Sequence, residues 1–133
     1  RYASATALIA QTKDEMRHAQ DSMMWELVDN NIDAVNGRTA FDAMRKGDVA
    51  GKRVVDRYIY YVACGIINAI NIFQPEIICV GGGIGHEKET LLEPLRQHVR
   101  RERYSMYSSK QTRICSAELG NDAGVIGAAL LDH

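Results

Sequence analysis

The segment IICVGGGIG, residues 77–85, places an uninterrupted apolar run directly before a cluster of glycines. β-branched residues are frequent in the run, and Pro75 precedes it, a pattern that is typical of a buried parallel strand. Good helix formers follow from Glu87 onward. We therefore predict a strand over 77–80, a tight turn at the glycines and a helix over 87–103.

A second strand and helix are predicted downstream. Residues 113–118 form the strand candidate, and residues 122–131 form a final helix with Asn121 or Asp122 as its N-cap. The order strand, helix, strand, helix predicts a right-handed βαβ unit. Parallel sheets are normally covered on both faces and contain more than two strands. We therefore expect the rest of the sheet to lie outside this chain.

The first 73 residues are predicted to be mainly helical. The predicted helices cover residues 5–19, 22–28, 40–45 and 48–73, with Ser4, Thr39 and Asp48 as N-caps. The last of these is apolar on nearly every side, so we expect neighbours to bury it until Pro75 ends it. Pro94 predicts a kink or a fresh helix start near Glu93. The fold prediction is a helix-rich α/β domain over 1–133, helical over 1–73 and βαβα over 76–133.

Composition is that of an ordinary globular domain. The 133 residues are 46% apolar, and 16 Lys and Arg nearly balance 17 Asp and Glu, so net charge indicates no polyanionic partner. Cys64, Cys79 and Cys115 each lie in an apolar run and are predicted to be reduced and buried. The sequence predicts a cytoplasmic protein.

Neither a membrane span nor a leader is predicted. The longest apolar stretch, residues 58–73, contains Asn68 and Asn71 and falls short of the roughly 20 residues that a bilayer requires. The chain begins with Arg1, without a basic and then apolar leader. We expect the chain to be part of a longer protein.

The glycine turn is the strongest candidate for a ligand site. Glycines allow close backbone approach, and free N–H groups before a helix attract anionic groups. A nucleotide is therefore the predicted ligand of Gly81, Gly82, Gly83 and Ile84. The Rossmann pattern would need glycine at His86, and Gly-Lys followed by Ser or Thr does not occur, which excludes both common phosphate motifs. A tight turn without a ligand remains the alternative.

Two other features are predicted to be structural. The segment AELGNDAG, residues 117–124, leads into Gly127, and its small residues favour close helix packing, with Asn121 and Asp122 as caps. A basic run late in a predicted helix is interpreted as a solvated face that complements the helix dipole, in preference to a nucleic-acid groove. Its members are Arg96, His98, Arg100, Arg101 and Arg103.

No catalytic group or metal site is identifiable from spacing. His18, His86, His98 and His133 have no metal-ligand spacing, and no Cys-x-x-Cys pair occurs. A base for a substrate hydroxyl and ligands for Mg²⁺ are likewise not identifiable. Any catalytic residues are expected outside this chain.

Taken together, these residues resemble the C-terminal half of the ROK family of bacterial sugar kinases and related repressors. The resemblance rests on Lys46-Gly47-Asp48, on residues 58–83, on Leu91 to Arg96 and on Leu119 to Ala129, with residues 2–7 similar to the segment after the family's zinc motif. Asn121 departs from the aspartate that is frequent in the family. The resemblance to this family implies an actin-like, RNase H-type fold in which two lobes close on sugar and ATP.

The resemblance also implies chemistry. Gly81 to Gly83 would contact the adenosine end of ATP, used with Mg²⁺ to phosphorylate a hexose, commonly glucose. The aspartate base, the sugar-binding glutamate and a structural zinc site would lie upstream, so the chain alone is expected to be inactive. The alternative is the effector domain of a sugar-responsive transcriptional repressor, which would bring nucleic acid as a partner. A homo-oligomer is expected, and the apolar helix around residues 58–73 would favour a dimer interface.

Overall fold

The computed structural model describes residues 2–104, 107, 109–118 and 122–129. Their helices and strands follow in chain order: α1 (Ala5–His18), α2 (Met24–Leu27), α3 (Thr39–Arg45), α4 (Val49–Phe73), β1 (Ile77–Val80), α5 (Glu89–Glu102), β2 (Arg113–Ser116) and α6 (Ala123–Ala129). Short 3₁₀ turns cover Ile32–Ala34 and Gly83–Glu87. Contacts divide the chain into two compact units, one up to Val62 and one from Ala63 onward.

The first unit is mainly helical and buries many apolar side chains. Its fully buried side chains include Leu8, Met16, Met24, Phe41, Val54 and Tyr58. The predicted N-cap of α1 is confirmed, because the Ser4 hydroxyl accepts a hydrogen bond from the backbone N–H of Ala7 at 3.1 Å. The Tyr58 hydroxyl donates to the carbonyl of Ala3, and burial raises the pKa of Tyr58. This hydrogen bond ties the segment before α1 to the buried face of α4.

Asp48 joins two helices of this unit. One carboxylate oxygen accepts from the N–H of Gly51 and caps α4, as the sequence predicts. The other accepts from the N–H of Met23 at 2.8 Å, and the Ser22 hydroxyl lies 3.2 Å from the first. One carboxylate therefore fixes the start of α4 against the start of α2.

The second unit contains the predicted strand, helix and strand. Strands β1 and β2 pair in parallel, from Ile77 beside Arg113 to Val80 beside Ser116. Helix α5 connects them and buries Leu91, Leu92, Leu95 and Val99. Of the two expectations for Pro94, the fresh helix start near Glu93 is wrong, since α5 runs through Pro94. The proline removes one backbone donor, and the buried apolar stripe offsets that loss.

The predicted burial of β1 and of all three cysteines is wrong for the described chain. Ile77 is 45% exposed and Cys79 is exposed, whereas Ile78 and Val80 on the opposite face are partly covered. Ile72 and Phe73 at the end of α4 are 71% and 76% exposed, so that helix is not buried on every side either. Two strands leave one sheet face open.

The three cysteines are free thiols. Cys79 and Cys115 are register partners, with their sulfur atoms 3.5 Å apart. The hydrogen bond to Cys115 is the main cause that raises the pKa of Cys79, with desolvation second. No described helix combines the length and the apolar character that a membrane crossing requires.

Replacing Asp48 tests whether its carboxylate stabilises the starts of α2 and α4. Asp48→Ala removes the cap of α4 and leaves the Met23 N–H without its acceptor. We expect a loss of about 1–2 kcal/mol in the free energy of unfolding, measured by urea denaturation. Asp56→Ala, which removes only an exposed pair with Lys52, is the control and should change stability little. Equal losses in the two variants would contradict this assignment.

Two glycines of α4 should respond oppositely to alanine. A Cβ at Gly51 would lie 2.8 Å from the Cβ of Ala43 and 3.0 Å from the Ala40 carbonyl oxygen, whereas a Cβ at Gly65 would meet nothing within 4 Å. Gly51→Ala should therefore destabilise by about 1–3 kcal/mol through overpacking. Gly65→Ala should stabilise by about 0.5–1 kcal/mol through helix propensity. Thermal melts of both variants compare the two effects, and stabilisation by Gly51→Ala would show that α3 and α4 are less closely packed.

Candidate functional site

The turn after β1 requires glycine for its backbone geometry. Gly82 has φ +78° and ψ −173°, a region that is costly for residues with a side chain. The N–H of Gly85 donates to the Gly82 carbonyl at 2.9 Å, which closes the turn. A Cβ at Gly85 would approach the Val80 carbonyl oxygen to 3.3 Å. The glycines therefore shape a compact turn whose backbone is open to contact.

Beside this turn lies a cavity of about 540 Å³. It opens where the carboxyl ends of the two parallel strands meet, the usual position of ligands in such sheets. Its lining comprises Gly81, Gly82, Gly85, Lys88, Glu89, Leu92, Arg96, Cys115, Ser116, Ala117 and Glu118. The volume falls within the range of small-molecule sites.

The strand ends hold the lining in place. The N–H of Ala117 donates to the Val80 carbonyl at 2.9 Å and continues the ladder beyond β2. The Ser116 hydroxyl donates to the Gly85 carbonyl at 3.4 Å. The segment after β2 is thereby fixed against the glycine turn, and together they form one wall of the cavity.

Arg96 braces a second wall. Its Nε donates to the Ile114 carbonyl at 3.1 Å, and its Nη1 lies 2.7 Å from a carboxylate oxygen of Glu89. The side chain is thus held between α5 and β2. Lys88, at the mouth of the turn, has no salt bridge to any residue that the structure describes. The cavity therefore combines a glycine backbone, the apolar Leu92 and a lysine available to an anionic group.

The sequence prediction and the cavity overlap in part. Gly81 and Gly82 line the cavity, whereas Gly83 and Ile84 lie next to them in the 3₁₀ turn outside its lining. Sequence reasoning missed Lys88, Glu89 and the segment after β2. The rule that parallel strands end at one edge could have indicated Ser116 to Glu118.

The other features considered in the sequence are the final helix, the basic run and possible metal ligands. The final helix is present as α6, while Leu119, Gly120 and Asn121 lie outside the described residues, as do Leu130 and Leu131. The solvated-face interpretation is wrong for Arg96, which is partly buried and bonded to β2. Within the described ranges, no group of three His, Cys, Asp or Glu side chains is placed to hold a metal ion.

Comparison with known proteins identifies relatives over nearly the whole chain. The model of the ROK family matches residues 1–133. A glucokinase of Thermotoga maritima is 34% identical over 128 residues, which are 96% of this chain and 39% of that protein. A glucokinase of Halalkalibacterium halodurans is 38% identical over 100 residues, 73% of this chain and 29% of that protein. A beta-glucoside kinase of Klebsiella pneumoniae is 34% identical over 97 residues, 73% of this chain and 30% of that protein.

A solved structure of the same family has a similar fold. A ROK family glucokinase from Streptomyces griseus, in complex with glucose and AMPPNP, matches with a TM-score of 0.84 and 28% identity. The match covers 96% of this chain and 42% of that one. The predicted actin-like, helix-rich α/β class is confirmed by this match. The chain spans well under half the length of these relatives, and with the family model matching along its full length, it belongs to the ROK family.

Proposed function

We propose that this chain forms the nucleotide-binding part of an ATP-dependent sugar kinase, which transfers the γ-phosphoryl group of ATP to a hexose hydroxyl. The observation that carries the proposal is the cavity of about 540 Å³ at the glycine turn, in a chain whose relatives are named glucokinase and beta-glucoside kinase. Glucose is the first substrate to test, because two of those relatives are glucokinases. A cytoplasmic location is part of the same proposal.

The residues of the cavity fit the adenosine end of a nucleotide. The backbone at Gly81 and Gly82 has no side chain to obstruct a flat base or a ribose, and Leu92 supplies apolar surface. Lys88 can reach toward negative charge as a flexible cation. Gly83 and Ile84 remain proposed contacts through their place in the same turn, on the strength of the family resemblance.

Mg²⁺ would accompany ATP and neutralise charge on its phosphates during transfer. Glu89 and Glu118 are the carboxylates of the cavity lining, and Glu89 is already paired with Arg96. The described residues therefore supply no complete coordination set. We assign Mg²⁺ to the phosphates and to groups beyond the described residues.

Catalysis itself is assigned to polypeptide outside these 133 residues. The support is that the chain corresponds to 42% of the glucose-bound relative. Phosphoryl transfer depends on positioning two substrates and on charge stabilisation, so a nucleotide wall alone should not catalyse it. The sugar contacts, the base and the structural zinc expected from the resemblance belong to that outside part.

Nucleotide binding should depend on Gly82. Gly82→Val places a branched side chain at φ +78° beside the cavity, and we expect the affinity for ATP with Mg²⁺ to fall at least about tenfold in calorimetric titration. Gly83→Val tests whether the turn outside the cavity lining also contributes. Gly65→Ala in α4 is the control. Unchanged affinity in a folded Gly82→Val protein would contradict the assignment.

The complete protein should phosphorylate a hexose. With glucose and ATP, we expect ADP release in a coupled assay and a sugar product heavier by one phosphoryl group in mass spectrometry, and a panel of hexoses measures selectivity through kcat/KM. The chain alone should show no turnover. Sugar binding by the complete protein without any turnover would contradict the kinase proposal and would favour the sugar-responsive regulator.

A further inference from the structure

A second cavity lies beside the carboxyl-terminal half of α5 and the strand β2. It has a volume of about 350 Å³, and eight residues line it. Four of these are arginines, namely Arg96, Arg100, Arg103 and Arg113, and none is acidic. A lining with four arginine residues and no acidic residue favours positive charge at this surface.

The fold builds this cluster from two elements. Positions 96 and 100 are four residues apart, so their side chains share one face of α5, and Arg103 follows three residues later as the C-cap directly after the helix. Arg113 joins them from β2. Arg101 belongs to the same basic run but is exposed and absent from the lining. The cluster therefore results from helical phase and strand pairing, and a count of charges along the chain would not reveal it.

Most of this charge is not neutralised within the described structure. Arg96 pairs with Glu89 at 2.7 Å and lies 3.8 Å from Glu93. Among the residues described, Arg100, Arg103 and Arg113 have no salt bridge. The Nε atom of Arg103 is buried and has no hydrogen-bond partner there. A buried donor without an acceptor is unfavourable, and a bound anion would supply the acceptor.

We propose that this cavity binds a small phosphate-bearing anion at a site separate from the cavity of the glycine turn. Guanidinium groups match phosphate oxygens with two parallel hydrogen bonds, which makes arginine suited to such a site. The volume of about 350 Å³ suits a compact ligand such as pyrophosphate or a phosphate ester. A nucleic-acid surface would present phosphate contacts along an extended face, yet Arg101 lies outside the lining.

The two cavities share Arg96 and Cys115 in their linings. Phosphate could therefore bind in either, and the test must separate them. Arg100, Arg103 and Arg113 line only the second cavity, while Gly82 lines only the first. Substitutions at these positions distinguish the two locations without reference to nucleotide binding or to kinase activity.

The experiment is a calorimetric titration of the protein with pyrophosphate at fixed, low ionic strength. The double variant Arg100→Gln/Arg103→Gln should bind at least about tenfold more weakly than wild type, since each lost guanidinium removes charge-assisted hydrogen bonds. Arg101→Gln is the matched control on the same helix and should bind like wild type. Arg103→Lys, which keeps the charge but loses the planar fork, should fall in between.

A melt of each variant establishes that it is folded, and Arg113→Gln, at an exposed position of β2, replaces the double variant if that one unfolds. Gly82→Val should leave the affinity for pyrophosphate unchanged. Loss of pyrophosphate binding in Gly82→Val would locate the anion at the glycine turn and overturn the proposal. Absence of binding by wild type at millimolar pyrophosphate would overturn it as well.

A single-stranded oligonucleotide provides the last comparison. If it binds more tightly than pyrophosphate and loses affinity equally in Arg101→Gln and in the double variant, the basic run is a nucleic-acid surface and the proposal is wrong. Weaker binding of the oligonucleotide, together with selective loss of pyrophosphate affinity in the double variant, would support a small phosphate site in the second cavity.

Discussion

The parallel pairing of β1 with β2 is the constraint on which both cavities depend. It begins where the N–H of Arg113 donates to the Glu76 carbonyl and ends where the N–H of Ala117 donates to the Val80 carbonyl, each at 2.9 Å. A parallel pair needs a crossover, and α5 provides it. The pairing brings the glycine turn beside Ser116 to Glu118 at one end and Arg113 beside α5 at the other. A slip of one residue would turn the side chains of β2 to the opposite faces and dismantle both linings.

Arg96 links these two ends. Its bond to the Ile114 carbonyl ties α5 to the middle of β2, and its pair with Glu89 secures the first turn of the same helix. Arg96 is 27% exposed but Glu89 is 68% exposed, so solvent screens this ion pair, and the part-buried bond to the Ile114 carbonyl is the better protected of the two contacts. Because Arg96 lines both cavities, the binding of an anion in one would change the electrostatic potential in the other. The guanidinium is therefore a structural brace as well as part of two candidate sites.

Local signals in the sequence were sufficient to predict the order of elements. Ser4 and Asp48 indicate where their helices begin, because side-chain caps bond to backbone groups within three residues. Pro75 indicates where α4 ends, because proline disfavours helical geometry in the residue before it. The predicted burial of β1 is wrong for the described chain. The apolar residues Ile77 to Val80 indicate that the strand can be buried, but they do not indicate which part of the protein would cover it. Pro94 indicates a kink or a fresh helix start because the cost of proline is local, while the buried apolar stripe that keeps α5 continuous depends on tertiary packing.

The same contrast between local signals and tertiary packing applies to the candidate site. Gly82 was predictable because a positive φ leaves few alternatives to glycine, so the constraint on the backbone is visible in the residue type. Lys88 and Arg96 are common surface residues, and their roles depend on which atoms the fold places next to them. The arginine cluster is intermediate: its spacing of four and three residues could be found in the sequence once the phase of α5 is known, but Arg113 joins it only through strand pairing. A charge run should therefore be divided by helical face before it is interpreted as solvated, because the face that meets a strand and the face that meets water carry different chemistry.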